Sequence, residues 1–218
     1  DLSLDPKRWS QRHHDVREAV RSVNHFALGD VVDVVAEQGI PGDPSALFNY
    51  IEVQDAADGI VTPNCLRGWQ LPSRARHRAA PGDIFIGGIW SSVSKWFVAG
   101  GDCSNTVISN GFKRLRLKPE YGDYLIDIVS GLVSEIYLIQ ARALCTGSDG
   151  LAELNEQDIP SIVLPRVTDE NARAAIGRVV DAMLTSRATV AGLVMGLQAE
   201  GLVHPVPDET RGSHWVQV

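Results

Sequence analysis

Short apolar runs separated by turn-forming residues occupy the middle of the chain. They cover residues 84–86, 95–98, 106–108 and 112–118, and Gly, Asn and Asp stand between them. Runs of this length between such residues are typical of β-strands. The pattern predicts a twisted β-sheet with irregular connections over residues 60–118, and a further strand at residues 50–54.

Two other regions show the helical period. In residues 13–23 four apolar side chains share one face, which predicts a short amphipathic helix. In residues 121–144 apolar side chains again recur at helical spacing, and we expect a break near Gly131. The two helices on either side of that break are predicted to cover the sheet. Residues 159–164 form a short strand-like run that Pro165 closes.

The last predicted element is a long helix. Thr168 is the expected N-cap, Asp169 and Glu170 suit the positive end of the helix dipole, and no proline follows before His204. A helix of about 30 residues follows, with a heptad seam roughly 45 Å long. Two alternatives remain: a seam that packs on another helix, or an ordinary helix buried along one side of its own domain, since Ser186 interrupts the seam. The apolar seam positions are Ile176, Val179, Met183, Val190, Leu193 and Leu197.

These elements predict a mixed α/β fold. An irregular twisted β-sheet covered by helices is expected over residues 1–166, the long helix over 167–200 and an irregular tail over 201–218. At 218 residues, with 44% hydrophobic and 22% charged residues, the composition is that of an ordinary globular protein. The sequence shows neither an apolar run of membrane-spanning length nor a secretory signal, so no membrane partner and a cytoplasmic location are expected.

Charge is distributed unevenly. Residues 67–118 contain nine Lys or Arg against two carboxylates, so this window carries +7 while the whole chain carries −7. In the last run Leu115 and Leu117 alternate with Arg114, Arg116 and Lys118, which predicts one core face and one cationic face. A local positive region in an acidic chain indicates an anionic partner, and the alternative is a basic surface strand.

The chain carries little that indicates catalysis. Ser92 and Lys95 match a Ser-x-x-Lys motif, but its serine must open a helix, whereas the aromatic flanks here favour strands and turns. Three widely spaced cysteines and six histidines lack metal-ligand spacing, and the glycines do not form a phosphate-binding loop. We therefore expect no catalytic residue, no metal and no cofactor, with a Ser/Lys hydrolase as a minor alternative.

The sequence Pro81-Gly82-Asp83-Ile84-Phe85-Ile86 resembles the Gly-Asp-Ile-Leu-Ile-Ser block in the target-recognition domains of type I restriction-modification specificity subunits. Four further blocks agree with it in order: Leu28-Gly29-Asp30-Val31, Tyr50-Ile51-Glu52-Val53-Gln54-Asp55, Ser94-Lys95-Trp96, and Thr146-Gly147-Ser148 with the segment that leads to Leu164-Pro165. Ser94 departs from the family's usual glycine before the lysine.

The resemblance implies a recognition domain that reads one half of a bipartite site in double-stranded DNA. It implies a helix that packs antiparallel against the helix of a second copy, and adenine methyltransferase partners that supply the catalysis, so the domain itself is not an enzyme. One recognition domain and one helix are half of the usual set. The chain is then either a half subunit that forms a homodimer, or the C-terminal recognition domain of a fused adenine methyltransferase, as in phage-exclusion enzymes, and the absence of an initial Met favours the second.

The same interpretation assigns the site residues. Basic side chains would position the protein on phosphates, and side chains in loops would reach base edges. Core packing is the alternative for Trp90, and a scaffold domain with a basic patch and a dimerising helix is the alternative for the whole chain. The expected phosphate contacts are Arg74, Arg76, Arg78, Lys95, Lys113, Arg114, Arg116 and Lys118, and the expected base contacts are Trp90, Ser91, Ser92 and Asn110. A DNA-reading protein of this kind is expected to be associated with the nucleoid.

Overall fold

Two four-stranded β-sheets form the centre of the fold. The structure is a computed structural model that describes residues 10–37, 40, 42–101, 103, 105–147 and 151–185. Its helices are α1 Gln11–Arg21, α2 Leu28–Val31, α3 Leu125–Leu132, α4 Glu135–Leu144 and α5 Glu170–Thr185. Its strands are β1 His25–Ala27, β2 Val32–Val35, β3 Leu47–Ile51, β4 Ala56–Ala57, β5 Ile60–Val61, β6 Asn64–Arg67, β7 Ala75–Arg78, β8 Ile84–Gly87, β9 Trp96–Val98, β10 Thr106–Ser109, β11 Phe112–Leu117, β12 Cys145–Thr146, β13 Glu153–Leu154 and β14 Val163–Pro165.

The two large sheets differ in their strand directions. The first sheet has the order β6-β3-β10-β7, in which β3 and β10 run parallel and the outer strands run antiparallel to them. The second sheet has the order β2-β11-β8-β9 and is antiparallel throughout. Three two-stranded pairs complete the described topology: β1 with β14, β12 with β13, and β4 with β5.

Strand β8 is buried on both faces because it lies at the centre of the core. Phe85 packs toward the first sheet and stacks on Phe97 with 4.9 Å between the ring centroids. Ile84 and Ile86 face the opposite way, into the larger cluster to which α3, α4 and α5 contribute. A strand covered on both sides has no polar face, and this explains why residues 84–86 form a continuous apolar run.

The predicted helices near the start and in the middle of the chain are confirmed. Helix α1 is capped by Ser10, whose hydroxyl accepts the amide N–H of His13. The predicted break near Gly131 falls at residues 133–134, and Ser134 caps α4 by accepting the amide N–H of Tyr137. Gly131 lies inside α3, where an added Cβ would stand 2.6 Å from the side chain of Leu164. Close packing therefore explains this glycine.

The strand predictions hold over residues 84–118 and need two corrections elsewhere. The predicted strand at residues 50–54 is observed as β3, Leu47–Ile51, and a 3-10 turn at Val53–Asp55 follows it. The side chain of Asp55 accepts the amide N–H of Glu52 and fixes that turn. The predicted run at residues 159–164 divides into a 3-10 turn, Ile159–Ser161, and strand β14.

Helix α5 occupies the first half of the predicted long helix. Asp169 caps it by accepting the amide N–H of Ala172 at 2.7 Å, so the prediction of Thr168 as the cap is wrong. Ile176, Val179 and Met183 are buried in the chain's own core. The prediction that these three side chains form a seam for another helix is therefore corrected. The positions Val190, Leu193 and Leu197, and the tail over 201–218, lie outside the described residues.

Taken singly, each helix in the described part of the chain is too short or too polar to cross a bilayer. The pair Pro119–Leu132 and Glu135–Leu144 reaches that length and composition only together, with a bend of 83° between its members. Their apolar side chains, including Ile128 and Leu138, belong to the hydrophobic core.

Candidate nucleic-acid interface

The basic residues of β11 are engaged inside the second sheet. The carboxylate of Asp83, which is 1% exposed, accepts hydrogen bonds from the guanidinium groups of Arg114 and Arg116. The shortest N to O distances are 2.6 Å for Arg114 and 2.8 Å for Arg116. A hydrogen bond from Arg116 to Asp83 raises the pKa of this guanidinium. One buried carboxylate thus holds two arginines in place.

The predicted cationic face of this strand is therefore corrected. Arg114 is buried, so its side chain does not lie on a surface that a phosphate reaches. Lys118 donates hydrogen bonds to the backbone carbonyls of Gly29 and Asp30 at 2.7 and 3.0 Å. Lys113 lies 3.9 Å from a carboxylate oxygen of Glu156 and is mostly covered. These three basic residues therefore stabilise the fold and add little positive charge to the surface.

The basic residues of β7 are placed differently. This strand is an edge of the first sheet, and the side chains of Arg76 and Arg78 are exposed while Ala75 and His77 are buried. Ala75 pairs with Ser109 and His77 with Ile108, so Arg76 is the additional residue of a β-bulge. Bulges on edge strands redirect a side chain and discourage pairing with another strand. Both arginines are thus exposed along a sheet edge.

Beneath this edge lies a buried imidazole. The Nε2 atom of His77 is 3.1 Å from the backbone carbonyl oxygen of Phe112. Burial is the main cause that lowers the pKa of His77, because desolvation penalises the charged ring. His77 is therefore part of the packing that joins the two sheets.

Arg74 and Asn110 meet at the end of the same edge. The amide N–H of Asn110 donates to the carbonyl of Arg74 at 2.8 Å, and both side chains are exposed. The guanidinium of Arg74 also pairs with Glu52 at 2.6 Å, and these hydrogen bonds raise its pKa. We call the exposed set Arg74, Arg76, Arg78 and Asn110 the arginine edge. The structure brings these four predicted site residues together.

The loop between β8 and β9 contains the other predicted site residues. Trp90 packs against the main core, with the guanidinium carbon of Arg142 4.5 Å from its ring centroid. Its indole ring therefore has the packing role that was the alternative to base contact. Ser91 is exposed, and Lys95 is half-buried at the end of the loop. The loop reaches the arginine edge through a 2.8 Å hydrogen bond from the N–H of Gly88 to the carbonyl of Gly111.

Ser92 stabilises the turn in this loop. Its hydroxyl donates to the carbonyl of Ile89 at 3.1 Å and accepts the N–H of Ile89 at 3.2 Å, and the residue is buried. The prediction that Ser92 contacts a base edge is corrected on these grounds. The geometry also speaks against the Ser/Lys hydrolase, because Ser92 and Lys95 lie in a turn instead of the first turn of a helix.

Two exposed residues at the opposite edge of the first sheet, at the end of β6, were missed from the sequence. Trp69 is 69% exposed in the 3-10 turn Gly68–Gln70, and Arg67 precedes it at the end of β6. The available signal was charge, since residues 59–82 contain four arginines and no carboxylate. The predicted site began at Arg74 and so excluded this turn.

In the described part of the chain no group of three His, Cys, Asp or Glu side chains is arranged to hold a metal ion. Of the three cysteines, Cys65 is exposed, and Cys103 and Cys145 are buried.

Sequence comparisons found no match to a protein-family model and none to a curated protein. Comparison of structures gave clear similarities. The HsdS subunit from Thermoanaerobacter tengcongensis matches with a TM-score of 0.56 and 20% identity, over 82% of this chain and 45% of that chain. The chain has the fold of a type I specificity subunit. A chain from a structure described as showing complex assembly and conformational transition of the type I R-M system matches with a TM-score of 0.55 and the same identity and coverage.

The mixed α/β architecture described above is similar to that of HsdS domains. At 20% identity the similarity establishes the fold, and the function must be argued from the site itself. The chain spans about 45% of the length of these two matched chains.

Proposed function

We propose that this chain is a non-catalytic, sequence-specific DNA-reading module of a restriction-modification or related phage-defence system. The observation that carries the proposal is the arginine edge, three exposed arginines and an exposed asparagine on one sheet edge of an HsdS-type fold. Exposed arginines bind phosphates and guanine edges, and asparagine side chains pair with adenine. Such a module would act on chromosomal or invading DNA and would therefore be found on the nucleoid.

The uneven distribution of charge supports DNA, a polyanion, over an uncharged partner. The segment from Gly59 to Gly82 carries four arginines without a carboxylate, although the whole chain carries −7. Such a separation directs one surface toward a polyanion and leaves the remaining surface acidic. Glu52 pairs with Arg74 and restrains it. Arg76 and Arg78 are exposed on β7, and they are the proposed main phosphate contacts, with Ser91 and Lys95 of the adjacent loop as further contacts.

The proposal includes a methyltransferase partner and one half of a bipartite target. In the described part of α5 the apolar side chains pack into the chain's own core, and the outward positions, such as Arg178 and Asp181, are polar. Docking to an adenine methyltransferase, or to a second copy, is therefore assigned to the later seam positions Val190, Leu193 and Leu197.

A selection from random duplexes tests the reading of sequence. The full chain is incubated with a pool of random-sequence duplex DNA, bound duplexes are recovered and amplified, and the final pool is sequenced. We expect one short motif to be enriched and to outcompete random duplex by at least a thousandfold, a ratio typical of specific DNA-binding proteins. A pool that remains random after several rounds would reject sequence-specific binding and favour the scaffold alternative.

A further inference from the structure

Trp69 is the aromatic residue among the large apolar side chains that the described structure leaves exposed. It is 69% exposed, whereas Trp96 is 1% exposed in the core. Exposure of so large an apolar surface has a cost in water, because apolar area is stabilised by burial. Because tryptophan is enriched at binding interfaces, this exposed indole is a candidate contact residue.

The backbone around Trp69 crosses the outer face of the first sheet. Strands β6 and β7 are the two edges of that sheet, and residues 68–74 connect them. We call residues 68–74 the strap. Leu71 packs against the apolar cluster of Phe48, Tyr50 and Val107 on the sheet face below it. The strap ends at Arg74, so it leads directly to the arginine edge.

Hydrogen bonds fix the turn that presents Trp69. The N–H of Gly68 donates to the carbonyl of Ala46 at 2.8 Å, and the N–H of Trp69 donates to the carbonyl of Pro44 at 3.0 Å. The side-chain oxygen of Gln70 accepts the N–H of Arg67 at 2.9 Å. At Gly68 an added Cβ would stand 2.5 Å from the carbonyl oxygen of Asp43, so the close approach of the two backbones requires glycine. Because the turn is already fixed, little conformational entropy is lost when its side chain binds a partner.

The electrostatic surroundings of Trp69 favour a polyanion as its partner. Arg67 precedes the strap and Arg74 ends it, and the strap carries no carboxylate. Asp43 is distant from the strap in sequence but its backbone approaches Gly68, and the backbone N–H and hydroxyl of Ser45 both donate to its carboxylate. These hydrogen bonds lower the pKa of Asp43, so this group stays ionised and sets a limit to the basic surface. The basic surface thus runs from the strap along β7.

We infer that Trp69 is a specificity-determining contact to base edges in duplex DNA. The inference rests on the proposed function and adds to it a residue that reads sequence at the strap. An indole ring offers apolar area for a thymine methyl group and one N–H donor for a base acceptor. Binding of random duplex depends mainly on cations that neutralise phosphates, so uncharged Trp69 is expected to contribute to the preference among sequences and little to the binding of random duplex.

The test compares variants of the full chain on two probes: the duplex enriched from the random pool and a random duplex. We expect Trp69→Ala to weaken binding of the enriched duplex about tenfold and to change binding of random duplex less than twofold, with an unchanged salt slope. Trp69→Phe should recover part of the loss. Val23→Ala, which shortens an exposed apolar side chain beyond α1, is the matched control and should bind like the wild type.

The outcomes separate this inference from the proposed function. If the wild type enriches no sequence, the proposed function fails, and the inference fails with it. If the wild type enriches a motif and Trp69→Ala binds it with unchanged affinity, the inference alone is overturned. An equal loss on both probes also overturns it, because that result would make Trp69 a non-specific contact. Urea unfolding of each variant shows whether it is folded, and the exposed position predicts an unchanged midpoint.

Discussion

At the scale of single residues, Asp83 determines which basic side chains belong to the fold and which to the surface. It lies 31 residues before Arg114 in the chain, yet its buried carboxylate holds that guanidinium and Arg116 as well. Removing one member of a buried ion pair leaves an uncompensated charge, which costs much more than the loss of an exposed pair.

Asp83→Asn is therefore expected to destabilise the protein by about 3 kcal/mol, because it leaves the buried Arg114 without a counter-charge. Urea unfolding at neutral pH measures the change. Arg116→Gln is the matched control, since that side chain is 47% exposed and should cost about 1 kcal/mol or less. Equal effects of the two substitutions would contradict the role assigned to Asp83.

His77 gives a second prediction at this scale. Burial lowers its pKa in the folded state below the value of about 6.5 of the unfolded chain. As pH falls, the unfolded state therefore binds a proton at a higher pH than the folded state does. The contribution of neutral His77 to the free energy of unfolding is complete above about pH 6.5 and is lost below it, with a limiting slope of about 1.4 kcal/mol per pH unit. His77→Gln should flatten this part of the stability profile. An unchanged difference between pH 7 and pH 5 in the variant would show that other groups cause it.

The sequence pattern predicts the periodicity of each helix or strand better than it predicts which side chains are buried. Alternation in residues 112–118 correctly separates Leu115 from its charged neighbours, but it cannot reveal that Asp83 forms an ion pair with Arg114. That contact joins β11 to residues far away in the chain. Arg76 and Arg78 are exposed because β7 is a sheet edge, a property of strand order that local spacing does not contain.

At the scale of elements, helix α5 shows the same limit. Its 3.6-residue period predicts a helix, and the observed element begins within two residues of the expected start. A heptad seam and the buried stripe of a core helix have similar spacing, so the sequence left both alternatives open. The structure assigns the first half of the stripe to the core, through Ile176, Val179 and Met183.

Substitution with lysine at Val190 and Leu197 tests the second half of the long helix that the sequence predicts. We predict that the double variant Val190→Lys, Leu197→Lys loses association with a second copy or with a methyltransferase, because charged side chains do not pack in an apolar helix seam. Light scattering and co-purification measure association. Met183→Lys should instead unfold the domain, since Met183 is 4% exposed in the core. Intact association in the double variant would remove the docking role from these positions.

At the scale of the whole molecule, the fold separates charge. The basic residues at the second sheet pair with Asp83 and Glu156 or donate hydrogen bonds to backbone carbonyls, while those of the strap and β7 are exposed on the first sheet. The central claim is that this exposed set binds the phosphates of duplex DNA.

The most direct test is the salt dependence of DNA binding. For the wild type the logarithm of the association constant should fall linearly with the logarithm of salt concentration, and Arg76→Gln, Arg78→Gln should reduce the slope by about 2, one for each lost phosphate contact. Arg21→Gln, Arg178→Gln removes the same charge from α1 and α5 and should leave the slope unchanged. Identical slopes in the wild type and the Arg76, Arg78 variant would contradict the proposed interface.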